Sequence, residues 1–469
     1  MNSATTQTRP AIRLSRATLA CFGLIGASWF VFLLSGSLAA YWLCVGACVV
    51  PTALLGHRRH WAAALAPVAG AALLGTELRA ELGTTVVAPF NGLRALDLVV
   101  LSAALGVASS SEVLRTVRTG AALRAVVWPW RWVALALAAL AALWFAHGYP
   151  TDQLGRTDAR LIFLAAGAFY TARGTVPGHE RLFVMGLVGL GGLVALKAIA
   201  LHVSDLWAIG TYDRAQATQL ATEPKRTILV GGDTLMILVP AAAVALVENF
   251  RATWFNATLA AISALCGVAV LLSGTRSSLL VLCLLAVLAP VLCWERDRLP
   301  RGRQAVMILV TGLIIVVAAT AVSGVASRFV TPESQSEGLG FREDEIRTFL
   351  RLPTQDLMIG QGLGGRFTSR DSTGAEVEAA WSHVLPVWVG LKLGLLGLAL
   401  LTAVGAVAMW RTLRRSRVFG ARVGALLFTG LLLMSLTIGR AALPEGVILV
   451  ACCFILLGWG APDDPPRTV

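Results

Sequence analysis

This sequence has little charge. Asp, Glu, Lys and Arg make up 14% of its 469 residues against 57% hydrophobic, and the mean hydropathy is +0.74. A soluble core cannot hide that much apolar surface, so a soluble domain is excluded and a polytopic membrane protein is expected. Cysteine is missing from the polar stretches. All eight thiols (Cys21, Cys44, Cys48, Cys266, Cys283, Cys293, Cys452 and Cys453) lie inside apolar runs, as small core side chains rather than disulfides or zinc ligands. The first 17 residues hold Arg9, Arg13 and Arg16 but no acid, and one apolar run is followed at once by another. A cleaved signal peptide is therefore not expected, and the N-terminus is assigned to the cytoplasm. No internal repeat is visible, and the spans read as nearly charge-free apart from Lys197 and Asp233. Both features disfavour a transporter built from related halves.

What is present is a succession of apolar runs, with Gly and Ala to let helices approach closely in lipid. The expected fold is an all-α polytopic membrane protein with about 12–14 transmembrane helices and one long periplasmic loop containing short amphipathic helices. The chain divides into an N-terminal scaffold (1–200), helices with outward arginine turns (201–326), the loop (327–382), and C-terminal helices with a short tail (383–469). Its net charge of +13 would suit nucleic acid, but in a membrane protein it follows from basic cytoplasmic loops, and no nucleic-acid partner is expected. Alternation from an inside N-terminus puts His57-Arg58-Arg59-His60, Arg115 to Arg124, Arg173 to Arg181, Arg251, Arg296 to Arg303 and Arg411 to Arg417 on the cytoplasmic side. The tail, with Asp463-Asp464-Pro465-Pro466, falls there too.

Three polar pieces fall on the opposite face: about 202–227, the turn Ser273-Gly274-Thr275-Arg276-Ser277-Ser278, and the loop 327–382. Each carries arginine against the general bias, which calls for a local anionic partner. Arg276 is either a snorkelling helix-end residue or a guanidinium fork fixed at the interface for a phosphate. In the loop, Ile346, Phe349 and Leu350 fall at helical spacing, predicting a short amphipathic helix on the membrane surface with Arg347 and Arg351 one turn apart; Pro353 ends it. Gly360-Gln361-Gly362-Leu363-Gly364-Gly365 follows, either a flexible turn or a run whose amides approach phosphate or sugar. It lacks the Lys-Ser/Thr of a P-loop and follows no strand, which argues against nucleotide. His383, after Trp381, closes the loop, and a neutral imidazole there could take a proton from a sugar hydroxyl. Glu333, Glu337, Glu343, Asp344 and Glu345 are competing bases. Arg214 and Arg226 come from the 202–227 loop, and Asp233, just inside the next run, is a carboxylate for which Arg226 is one possible partner.

Together these pieces resemble the bacterial O-antigen ligase and polymerase superfamily, integral-membrane glycosyltransferases that act on undecaprenyl-diphosphate-linked glycans. The resemblance spans about residues 205–400. It rests on Ser273-Gly274-Thr275-Arg276 opening a helix, the Arg347 helix followed by Pro353 and Gly360-Gln361-Gly362-Leu363-Gly364, and His383 with Gly394 and Gly397 downstream. Val384 stands where the ligase signature has a polar residue after the histidine. The resemblance implies that Arg276, with Arg226 or Arg214, holds the pyrophosphate, that His383 is the general base, and that Arg347, Arg351, Gly362 and Gly364 contact or position substrate. Two or three guanidiniums neutralise a pyrophosphate leaving group without a metal, and a single displacement inverts the anomeric centre. The first outer loop, near Ser35-Gly36, is too short for the acidic residues of metal-dependent relatives, so neither metal nor cofactor is expected. The implied donor is an undecaprenyl-diphosphate glycan, the acceptor lipid A–core or another glycan, and the site periplasmic at the inner membrane. A flippase for lipid-linked oligosaccharide is the competing class.

Overall fold

The computed structural model describes residues 38–73, 95–110, 142, 148, 153–203, 232–247, 253–273, 276–293, 342–370, 376–379, 382, 384–414, 419–437 and 444–457. These are mostly helix. In chain order they form α1 (Leu38–His57), α2 (Ala62–Leu73), α3 (Ala95–Ala108), α4 (Gln153–Thr175), α5 (Glu180–Val203), α6 (Asp233–Val247), α7 (Thr253–Leu272) and α8 (Arg276–Cys293). Then come α9 (342–350), α10 (Thr354–Ile359), a hairpin of β1 (Phe367–Arg370) and β2 (Glu376–Ala379), α11 (Leu385–Arg414), α12 (Phe419–Thr437) and α13 (Pro444–Leu456). Among the described residues, four segments are long and apolar enough to cross a bilayer: Glu180–Ala200, Trp254–Leu272, Leu385–Val407 and Phe419–Leu436. Six shorter apolar helices accompany them. The protein is a helical membrane protein.

One apolar core runs through α1 to α8, α12 and α13. The helices are apolar on their outer faces as well: Leu280, Leu284 and Val287 of α8 point away from the protein while Val281, Leu285 and Ala289 are buried. A face so apolar on both sides suits lipid rather than water. Small residues set the closest crossing. A Cβ on Gly56 of α1 would lie 2.7 Å from the Ala103 carbonyl of α3, and one on Gly106 of α3 would strike the Ala53 carbonyl of α1, so the two backbones touch without side chains between them. Hydroxyls inside the helices turn back on their own backbone. Thr171, Thr175, Ser263, Thr429 and Ser435 each donate to the carbonyl four residues earlier, which satisfies them without water.

Helix directions follow from the contacts. Gly167 and Gly174 of α4 face Val100 and Val107 of α3 in the same order, so the two helices run parallel. His57 Nδ1 lies 3.0 Å from Ser109 Oγ, and Arg59 Nε donates to the Gly174 carbonyl at 3.0 Å. The ends of α1, α3 and α4 therefore meet. Arg181, opening α5, stacks over Phe419, opening α12, with 5.7 Å from guanidinium to ring centroid. This end thus gathers His57-Arg58-Arg59-His60 and Arg173 to Arg181. The starts of α3, α4 and α11, with the polar loop, occupy the other end.

Two expectations need correction. The helices are not nearly charge-free: Asp97 and Lys392, beside Lys197 and Asp233, lie within apolar helices, and Asp97 and Lys392 are buried. The loop also holds an antiparallel hairpin, pairing Phe367 with Ala379 and Arg370 with Glu376, where only short helices were expected.

Candidate functional site

The polar loop is docked into the membrane helices, beginning with α9. Its residues Phe349 and Glu345 turn inward, while Ile346, Arg347 and Leu350 stay exposed. A side chain at Gly390 of α11 would run into the Phe349 ring, so the ring rests on bare backbone. Glu345 accepts a 2.9 Å hydrogen bond from Ser382 Oγ, which in turn accepts the Val384 N–H at 3.0 Å where α11 begins. The loop's entry and exit are thereby tied together. Arg347 pairs with Glu343 one turn earlier, both largely in solvent, and Arg351 is exposed at the end of the helix. Pro353 fits at the N-cap of α10, where its φ of −51° is compatible and no donor is lost.

The glycine run then inserts at a break in α11. Gly394 has φ 68° and ψ −179°, so the helix is interrupted there. A break frees backbone groups, which must find partners in a membrane protein. The run supplies them: Gln361 N–H donates to the Leu391 carbonyl at 2.8 Å and Gly362 N–H to the Lys392 carbonyl at 3.1 Å. Gly364 N–H goes to Asp158 Oδ2 of α4 at 2.8 Å, and Arg366 N–H to Gln361 Oε1 at 2.8 Å. Gly362 and Gly364 both have φ 76°, and their amides are thus taken up inside the protein. Their role in the structure is to dock the loop.

A buried ion pair completes the junction. Lys392 Nζ, just before the break, lies 2.7 Å from Asp158 Oδ2 and donates to the Gly365 carbonyl at 2.8 Å. Two residues along α4, on a different face, Arg160 Nε donates to Asp97 Oδ1 of α3 at 2.6 Å. Desolvating such charges costs several kcal/mol each, offset only by close geometry and further hydrogen bonds. Lys392, Asp158 and the Arg160–Asp97 pair were not singled out from the sequence. Lys392 carried the signal, since an ionisable residue within a long apolar run defaults to a paired or functional role.

A second polar point lies between α6 and α8. The short connections around α7 make its two neighbours run parallel, so the starts of α6 and α8 share one end. Thr234 and Ser278, in those first turns, are buried, and their hydroxyls have no hydrogen-bond partner among the described residues. Position explains this, because the carbonyl four residues earlier falls before the helix begins. Arg276 opens α8, and Asp233, buried, opens α6.

No protein-family model matches this chain, and no curated protein does. Of the residues named from the sequence, Arg347, Arg351, Gly362 and Gly364 belong to one docked loop. Arg214, Arg226 and His383 lie outside the described residues, as does the side chain of Arg276. The neighbours of His383 are placed: Ser382 is buried on Glu345, and Val384 starts α11.

One histidine outside the helices has a shifted titration. His60, in the turn after α1, is held below the usual 6.5, first by burial and then by the neighbouring His179. It belongs to the basic end, away from the loop.

Proposed function

We propose that the protein is an inverting, metal-independent glycosyltransferase of the inner membrane. It moves a glycan from undecaprenyl diphosphate to an acceptor hydroxyl at the periplasmic face, with both termini cytoplasmic. The observation that carries this reading is the pair of buried hydroxyls of Thr234 and Ser278, without a partner among the described residues, at the starts of two parallel helices. Helix starts carry partial positive charge and free N–H groups, and Arg276 opens one of them, so this point has the donors a phosphate requires. Arg276, with Arg226 or Arg214, holds the pyrophosphate. His383 takes the proton of the attacking hydroxyl, the new glycosidic bond forms at the anomeric carbon, and the bond to the pyrophosphate breaks with undecaprenyl diphosphate leaving. Arg347 and Arg351 position the glycan, and the docked glycine run with Gly362 and Gly364 holds them steady. The His383-to-Gly394 spacing favours a ligase acting on lipid A–core over a repeat-unit polymerase.

The test is transfer by purified protein given an undecaprenyl-diphosphate glycan, with and without lipid A–core, in EDTA, beside Arg276→Ala and His383→Ala. Transfer to core that survives EDTA and disappears in both variants is expected. Lengthened donor without core identifies a polymerase, and activity undiminished in either variant refutes the assigned roles.

A flippase for lipid-linked oligosaccharide has one observation in its favour: a broken helix with buried charge beside it, as transporters have at their substrate sites. Donor crossing liposomes without any transfer product is the result that selects it.

A further inference from the structure

Four large apolar side chains of the polar loop are exposed: Ile346 and Leu350 on α9, Met358 and Ile359 on α10. Phe349, Leu363 and Phe367 of the same loop are buried. The loop therefore has an interior, and leaves these four outside it. At about 100° per residue, Ile346 and Leu350 form one strip along α9. The buried Glu345 and Phe349 flank it on one side and the exposed Glu343, Arg347 and Arg351 on the other, with Asp344 opposite.

Depth decides what covers this surface. α10 ends against the break in α11, where Gly360 lies on the backbone of Lys392 and Gly394 and the Met358 carbonyl meets Gly394. Sixteen residues further along α11 stands the exposed Trp410, which Arg411 follows. Tryptophan favours the membrane–water boundary, and 16 helical residues rise about 24 Å. Against a hydrocarbon core about 30 Å thick, the break falls about 6 Å inside the boundary on the loop side, and any tilt of α11 takes it deeper. Leu395 and Leu396 continue the exposed apolar surface directly past the break, within the segment able to cross a bilayer.

The polar groups agree with that depth. Irregular backbone at membrane depth is tolerated only where protein takes up its hydrogen bonds, and the Gln361, Gly362 and Gly364 amides are bonded to Leu391, Lys392 and Asp158. Asp356, on the opposite side of α10 from Met358, accepts from Gln361 Nε2 at 3.3 Å. The polar Thr354 and Gln355 stand at the outer start of α10 and the apolar Met358 and Ile359 at its inner end. Phe349 seats α9 on Gly390, one turn further out, and so at the boundary itself.

We propose that α10 is a re-entrant element sunk in the leaflet on the loop side, with Met358 and Ile359 covered by phospholipid acyl chains. α9 lies along the boundary, with Ile346 and Leu350 in the chains and Arg347 and Arg351 on the headgroup side, their stems along apolar surface. This goes beyond the transferase reading and does not depend on it. A lipid-linked molecule in that leaflet meets the docked loop from the side, without leaving the bilayer.

The experiment places p-benzoylphenylalanine singly at Leu350, Met358, Ile359, Leu396 and Asp344 of the full chain, in nanodiscs of phosphatidylethanolamine and phosphatidylglycerol. Products of irradiation are identified by mass spectrometry, and Leu396 on the outer face of α11 is the reference for lipid contact. Lipid adducts at 350, 358 and 359 in yields like that at 396 are expected, with far fewer at 344. Crosslinks from 358 and 359 to another part of the chain or to a second copy, or no product there while 396 marks lipid, overturn the re-entrant placement. Equal yield at 344 overturns the orientation of α9. Hydroxyl-radical footprinting of the unmodified chain is the second readout: Met358, though exposed, should oxidise as slowly as the buried Met236, and rapid oxidation puts it in water and overturns the proposal. No glycan donor enters either measurement, so both outcomes leave the transferase reading to its own test.

Discussion

Two glycines meet at the break in α11, and replacing either tests the docking of the whole loop. Gly360 has φ 79° and ψ 171°, and Gly394 has φ 68° and ψ −179°. Both conformations are open essentially to glycine, and a side chain there costs about 1–3 kcal/mol. Space is closed as well. A Cβ on Gly360 would lie 2.6 Å from Gly394 N, and one on Gly394 would lie 2.5 Å from Gly360 N and inside contact of the Met358 carbonyl. The obstacle is backbone on both sides, so overpacking adds about 1–3 kcal/mol. The sum for Gly394→Ala, about 2–6 kcal/mol, is a large share of an ordinary stability margin. It should be released locally, by parting α10 and the glycine run from α11. Hydrogen exchange is the suitable assay, because the Gln361 and Gly362 amides are bonded across this seam. Their protection should fall roughly 30-fold or more, at about 1.4 kcal/mol per factor of ten. Gly189→Ala and Gly267→Ala are the controls: a Cβ at either meets nothing within 4 Å, and in a helix interior each should stabilise by about 0.5–1 kcal/mol. Wild-type exchange at 361 and 362 in Gly394→Ala would refute the seam.

Phe349→Ala removes the ring that covers Gly390 and should cost about 3–5 kcal/mol, seen as faster exchange over 342–352 rather than a shift of the main unfolding transition. Arg347→Ala should leave the melting temperature within error, because its pair with Glu343 is 62% and 61% exposed and such pairs contribute about 0–1 kcal/mol; a loss of transfer in this variant therefore reports substrate contact, and a large drop in melting temperature would contradict the surface assignment. His60 is held below 6.5 when folded, so the unfolded chain binds its proton more readily and stability falls as pH drops below about 6.5, levelling off beneath the folded value. His60→Gln should flatten that limb of a melting-temperature series from pH 7.5 to 5, and an unchanged slope would remove His60 as its cause.

The helical membrane class was legible because it depends on composition, and so was α9, because Ile346, Phe349 and Leu350 recur at helical spacing. Even there, spacing gave the helix but not its inward face: Phe349 is buried while Ile346 and Leu350 are exposed, since the partner surface is supplied by Gly390 from 41 residues further along the chain. The glycine run was recognised as conformationally special, yet its amides face Leu391, Lys392 and Asp158 instead of solvent. No local pattern encodes a contact between residues 158 and 364. The hairpin was missed for a similar reason, as Phe367-Thr368-Ser369-Arg370 and Glu376-Val377-Glu378-Ala379 are too short to show a period of two.

Where the buried charges sit bears on the choice between an enzyme and a transporter. Asp158 and Lys392 are each bonded to loop backbone as well as to each other, so moving the loop would break several bonds to charged groups at once. That is the property of a fixed platform, whereas alternating access needs charges that exchange partners. The Asp97–Arg160 pair separates the two readings, because it joins α3 to α4 beside the junction, at 2.6 Å. If it only joins those helices, Asp97→Leu/Arg160→Met should fold as well as wild type, since replacing a buried pair by apolar groups of similar volume is often neutral or stabilising by about 1–4 kcal/mol. Arg160→Met alone should lose about 3–5 kcal/mol by stranding a buried carboxylate. Under the transferase reading the double variant keeps glycan transfer near the wild-type rate. If the pair instead lines a transport route, the double variant folds but loses donor flux across liposomes, and that result would replace the enzyme by a carrier.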